Sequence, residues 1–111
     1  MQNISRKGLA ALALVFLVSS QAVFAKPARC FTTDDGYYDC EFTAIEGNGS
    51  FIISAKGRPT FTLYIESPGV ASGFADFGTG RNVPLPGPFY RSKQDGACWV
   101  SSATNTAICA W

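Results

Sequence analysis

Four cysteines, Cys30, Cys40, Cys98 and Cys109, are the residues of this chain with the widest choice of chemistry, and their spacing narrows that choice. A nucleophilic thiol needs a base beside it, and the sequence has no histidine. A zinc site needs Cys-x-x-Cys pairs or histidines, and the chain has neither. Oxidative pairing remains: an even count of cysteines in a small exported chain reads as a framework of two disulfides. Carboxylates offer a second chemistry, with Asp39 and Glu41 two apart on one strand face and Asp34 and Asp35 sharing a turn. Their spacing fits a solvated face and turn chemistry better than an acid–base pair. Asp76-Phe77-Gly78 is too isolated to be a kinase magnesium motif, and Gly78-Thr79-Gly80 is too short for a phosphate loop. Asn48-Gly49-Ser50 matches a glycosylation acceptor but doubles as a turn. No cofactor is implied, no metal site is expected, and the chain reads as no enzyme.

Disulfides require an oxidising compartment, and the start of the chain supplies the route. Arg6 and Lys7 precede an apolar run from Leu9 to Val18, followed by the small-residue cleavage pattern Val23-Phe24-Ala25. Residues 1–25 therefore read as a signal peptide, too short in its apolar part for a membrane span of about 20 residues. Residues 26–111 form one disulfide-stapled domain of 86 residues, periplasmic or secreted and monomeric. It carries seven basic and eight acidic residues with no basic run, which disfavours nucleic acid and a membrane surface as partners.

The elements that must position these residues are strands. Helical periodicity is absent after residue 25, and short runs of β-branched and aromatic residues alternate with Gly, Pro, Asn and Asp clusters. The fold class is all-β, a small antiparallel sandwich or flattened barrel of six to eight strands, with Phe42, Ile53, Leu63, Ile65, Trp99 and Ile108 in the core. A two-residue turn at Asn48-Gly49 pairs Phe42 with Ala55 and Ala44 with Ile53. A loop at Gly57-Arg58-Pro59 pairs Ile53 with Leu63, and Ser67-Pro68-Gly69 turns the chain again. At Asp34-Asp35-Gly36, with Gly36 left-handed, Cys30 falls opposite Cys40. A Ser102–Asn105 loop, with Asn105 left-handed, sets Cys98 opposite Cys109. Two local bridges follow, Cys30–Cys40 and Cys98–Cys109, with the termini-joining arrangement Cys30–Cys109 and Cys40–Cys98 as the alternative. A turn at Asp95-Gly96 pairs Ser92 with Trp99 and Arg91 with Val100, which places Cys98, Cys109, Trp111, Arg91 and Lys93 on one outer face and Tyr90, Trp99 and Ile108 on the inner one.

Two binding features stand out. Three prolines and three glycines between Phe77 and Phe89 preclude regular pairing and suggest a stiff recognition loop with Arg81 and Asn82 at its tip, or else a crossover that packs Val83 and Leu85. Tyr37, Tyr64 and Trp111 face outward, with Arg91 or Lys93 able to stack on Trp111. Arg81, Asn82, Arg91 and Trp111 are the candidate binding residues. Ser72-Gly73-Phe74, together with the size and the cysteines near both ends, resembles the small exported β-barrel inhibitors of lysozyme. That resemblance implies a barrel with an inhibitory loop, although the family's basic second loop has no clear counterpart here. The functional expectation is a small exported, non-enzymatic binding or inhibitory module for a protein or glycan ligand. The alternative is a structural or envelope-associated protein without a discrete ligand, and a small hydrolase ranks last.

Overall fold

Period-two alternation dominates residues 26–111, and a sheet with one wet face and one dry face is what such a pattern builds. The computed structural model describes residues 24–111. The expected signal peptide, except Phe24 and Ala25, lies outside the described residues. Nine strands follow one another: β1 (Lys26–Thr32), β2 (Gly36–Ile45), β3 (Ser50–Ser54), β4 (Thr60–Ser67), β5 (Val70–Asp76), β6 (Val83–Pro84), β7 (Phe89–Arg91), β8 (Cys98–Ser101) and β9 (Ala107–Ala110). Each long strand pairs antiparallel with its sequence neighbour, β4 joins β5, and β9 returns to β1. Eight strands thus close a meandering antiparallel barrel with β6 as an addition, and closure leaves few free edges.

The segment expected to be unpaired is largely wall. β6 and β7 both lie along the same edge of β5, β6 opposite Phe74 and Ala75 and β7 opposite Val70 and Ala71. Between them the Leu85 amide donates to Gly73 O at 2.8 Å. Prolines are tolerated because this is a broken strand: Pro84 needs no donor there, and the carbonyls of Pro86 and Pro88 accept from Ser101 Oγ (2.7 Å) and the Ser102 amide (2.9 Å). Only residues 77–82 form a free loop, while Leu85 packs against the core as the crossover reading expected.

Both local disulfides are present, Cys30–Cys40 and Cys98–Cys109, consistent with an oxidising environment. Cys98 sits directly opposite Cys109 as expected. Cys30, however, pairs with Tyr38, and Cys40 with Ala28, so the first bridge crosses the hairpin diagonally. The same two-residue offset recurs elsewhere: Phe42 faces Ile53 rather than Ala55, and Ile53 faces Phe61 rather than Leu63. At the first of these turns the reason is local. Glu46 and Gly47 are both left-handed (φ 61° and 66°), so the turn spans residues 46–49, and Asn48 Oδ1 accepts the Ser50 amide at 3.0 Å. An offset of two keeps every side chain on its face, so Ile53, Leu63, Trp99 and Ile108 are buried and Phe42 and Ile65 pack against them.

The hairpin at Asp95-Gly96 is displaced by one residue instead. Arg91 pairs with Trp99, not with Val100. Ser92 Oγ accepts the amides of Gln94 and Asp95, and Asp95 Oδ1 accepts that of Ala97, which makes a six-residue loop over 92–97. Trp99 still enters the core, but Arg91 shares its side of the wall at the barrel rim.

Candidate functional site

Strand directions give the barrel two distinct ends. At one, the loops 33–35, 55–59, 77–82 and 102–106 gather; at the other lie the start of β1, the loops 46–49, 68–69 and 92–97, and Trp111. Arg81 and Asn82 belong to the first end, Arg91 and Trp111 to the second. The four candidate residues do not form one site.

At the Arg81 end, order comes from Asp76. Its Oδ1 accepts the amides of Gly78, Thr79 and Gly80 at 2.8, 3.0 and 3.1 Å, and these bonds hold the carboxyl below the usual aspartate range. Arg81 and Asn82 follow this clamp, both exposed. Across the same end, Arg58 pairs with Asp35 at 3.8 Å and lies 4.4 Å over the ring of Tyr38, whose buried hydroxyl has no hydrogen-bond partner.

At the Trp111 end two surfaces meet. On the outer wall Tyr37 and Trp111, 62% and 48% exposed, stack with ring centroids 5.9 Å apart, and Phe31 packs 4.8 Å from Tyr37. Hairpin register builds this patch, since Phe31 lies opposite both Tyr37 and Cys109. Polar groups frame it: the Trp111 indole N–H donates to Asp95 Oδ2 at 3.0 Å, Arg29 lies 5.7 Å over Tyr37, and Arg29 reaches Asp39 at 3.4 Å. The expected stacking of Arg91 or Lys93 on Trp111 is replaced: Asp95 engages the indole, and Arg91 goes to Trp99. The one-residue displacement of that hairpin is the cause. Tyr64 is half-buried, edge-on to Phe74 at 5.6 Å, and takes no part.

The second surface is the barrel mouth. Arg91 places its guanidinium 4.9 Å over the buried Trp99 ring, beside a cavity of about 270 Å³ walled by Phe42, Phe51, Gly49 and Ala110. Phe42 and Phe51 stack at 5.1 Å, and Lys26 lies 5.5 Å over Phe42. Sequence reasoning singled out Arg91 but not its setting, because the walls come from strands distant in sequence and the expected register set Arg91 opposite Val100 where the structure has Trp99.

Ser72-Gly73-Phe74, which carried the resemblance to lysozyme inhibitors, lies inside β5 and not in a loop. Gly73 is buried, and a Cβ there would come within 2.6 Å of the Phe89 ring, so the glycine serves close packing. Among the described residues, no three His, Cys, Asp or Glu side chains gather as a metal site, and no helix is long and apolar enough to cross a membrane. Comparison of the chain with protein-family models, with curated proteins and with solved structures finds no match.

Proposed function

We propose that the protein is an exported binding module, without catalysis of its own, that presents the Tyr37–Trp111 wall to a glycan or protein partner. The carrying observation is the pair of large exposed aromatic rings held in a fixed stack beside the Cys98–Cys109 bridge. Rigid aromatics lose little entropy on binding and offer flat faces to sugar C–H groups or to apolar side chains, with Arg29, Asp39 and Asp95 placed for hydroxyls or amides. The absence of histidine from the sequence and the closure of all four thiols in bridges leave no nucleophile–base pair of the usual kinds, which supports binding over turnover. Arg81 and Asn82, on a clamped loop at the opposite end, are the comparison residues.

Residues 26–111 applied to a glycan panel and to immobilised exported proteins, lysozymes included, give the test. Tyr37→Ala and Trp111→Ala should each weaken a captured partner by roughly ten-fold or more, the size of a buried aromatic anchor, without unfolding the barrel. Arg81→Ala with Asn82→Ala should leave that partner bound. Binding that survives loss of both aromatics but not of Arg81 would move the site to the loop.

A further inference from the structure

We infer that the barrel mouth at the Trp111 end is a second ligand site, taking small amphipathic carboxylates: an apolar ring or short chain that ends in one carboxylate. It is separate from the wall proposed above and stands or falls without it.

Arg91 is the first reason. Its guanidinium is exposed and stacked on Trp99, yet the ion pairs among the described residues are Arg29–Asp39 and Arg58–Asp35. Nearby carboxylates are occupied otherwise. Glu66 accepts from Ser72 Oγ at 2.9 Å, and Asp95 accepts from the Trp111 indole and the Ala97 amide. Glu46, on the 46–49 loop, makes no ion pair within 4.0 Å among the described residues. A stacked arginine keeps its fork in one plane, and that fork matches the two oxygens of a carboxylate.

The second reason is the cavity under it. The space of about 270 Å³ is lined by aromatic rings, and a neighbouring space of about 220 Å³ shares Gly49, Arg91 and Trp99. Drug-sized sites run from roughly 300 Å³ upward, so one ring or a short chain is the size that fits. Inorganic phosphate would find one fork and apolar walls in place of the several donors it needs. Lys26, over Phe42 at the same mouth, adds a second positive charge for the ligand's approach.

Titration calorimetry of residues 26–111 decides it, with phenylacetate and octanoate as probes, 2-phenylethanol and octanol as their uncharged counterparts, and inorganic phosphate as a bare anion. The acids should bind, and the alcohols and phosphate should bind roughly ten-fold or more weakly, the worth of a charge-assisted hydrogen bond. Arg91→Gln should reduce the acids to the level of the alcohols. Ala110→Phe, which fills the mouth, should abolish both, while Tyr37→Ala should change neither. Heat of binding absent for every probe, equal affinity for acid and alcohol, or acid binding indifferent to Arg91→Gln would each overturn the inference. Loss of the acids in Tyr37→Ala would show that the wall, not the mouth, had been titrated.

Discussion

The two disulfides of this barrel enclose loops of nearly equal length, ten and eleven residues, yet they face opposite sides of the wall. Cys30 and Cys40, 0% and 5% exposed, reach across the β1–β2 hairpin on a diagonal with Cα atoms 5.9 Å apart, and they belong to the core with Tyr38, Ile53 and Leu63. Cys98 and Cys109 stand directly opposite with Cα atoms 4.0 Å apart, one residue out of phase with the buried Trp99–Ile108 pair. Chain entropy alone gives each bridge a little under 3 kcal/mol, so it cannot rank them. Their surroundings can. The inner pair belongs to the buried core cluster, whereas Cys98 is half-buried and Cys109, only 2% exposed, stands outside that cluster.

The largest expected effect follows from this difference. Replacing Cys30 and Cys40 by alanine should cost about 4 kcal/mol, because a cavity in a close-packed core adds to the lost constraint. Replacing Cys98 and Cys109 should cost about 2–3 kcal/mol, near the entropic share alone. Urea unfolding of both double variants measures the gap, and an equal or reversed order would break the comparison. Partial reduction sharpens it, since half-buried Cys98 offers a thiolate its point of attack and the inner pair offers none. The 98–109 thiols should therefore be alkylated first.

How much of this was legible in the sequence depends on which property of a strand is asked about. The alternation of residues such as Phe51-Ile52-Ile53 and Phe61-Thr62-Leu63 sets the face each side chain takes, and a sheet with a dry interior enforces it. Phase along the partner is another matter. Slipping by two costs the hydrophobic pattern nothing, so turn chemistry alone decides it, and the left-handed Glu46 extended one turn beyond Asn48-Gly49. Asn105 shows the opposite outcome: its left-handed geometry (φ 63°) closed the last hairpin as read, and the cysteine pair landed in register. The 92–97 loop was opaque because Ser92 and Asp95 capped amides within it, a competition between side chain and ladder that spacing does not reveal. Of the site, Trp111 and Arg91 were visible one by one; the mouth they flank depends on closure of β9 onto β1, a long-range pairing with no local signal.

A next smaller effect is lodged in the inner face. Gly73→Ala drives a methyl group to 2.6 Å from the Phe89 ring, which is itself buried, so the strain should cost about 2 kcal/mol. Phe89→Leu in the same chain should recover part of it. If the single alanine variant melts like the parent, the inner face is looser than its packing implies, and the ranking of the bridges loses its basis.

Tyr38, paired with Cys30 in the ladder, tests the same face by subtraction. Its hydroxyl is buried without a partner, and burial first, then the charge of Asp35, pushes its pKa above the ordinary tyrosine value while Arg58 pulls the other way. Tyr38→Phe removes the unpaired group but keeps the ring under Arg58, so stability should hold or rise by about 1 kcal/mol. The sign of its pH dependence is fixed. A folded-state pKa raised above the unfolded one gives a contribution that is whole below about pH 10 and fades as pH climbs past it, since the unfolded chain releases that proton first. Unfolding followed from pH 9 to 11 should therefore show a shallower alkaline decline in Tyr38→Phe than in the parent; an unchanged slope would mean that the hydroxyl finds a partner in solution.

The smallest effect belongs to the outer face, and it is the one that separates cover from support. Trp111 lies two residues beyond Cys109 on the same side of β9, stacked on Tyr37, which packs on the Phe31 that faces Cys109 across the ladder. Its indole is tied to Asp95 by a hydrogen bond at an exposed site, so Trp111→Phe, which keeps a ring and removes the donor, should cost about 0.5–1 kcal/mol. Trp111→Ala removes the ring as well. In that variant the rate at which dithiothreitol opens Cys98–Cys109 should rise several-fold, because access to the sulfur limits exchange, while Cys30–Cys40 on the far side of the wall keeps its parent rate. Both rates are read from one time course of alkylation and mass spectrometry. Equal acceleration of the two bridges would mean that the variant opens the whole barrel and that Trp111 is support. Acceleration confined to the outer bridge means that the aromatic wall is cover laid over an already stable barrel, and a ring that contributes so little to folding is free to be used for binding.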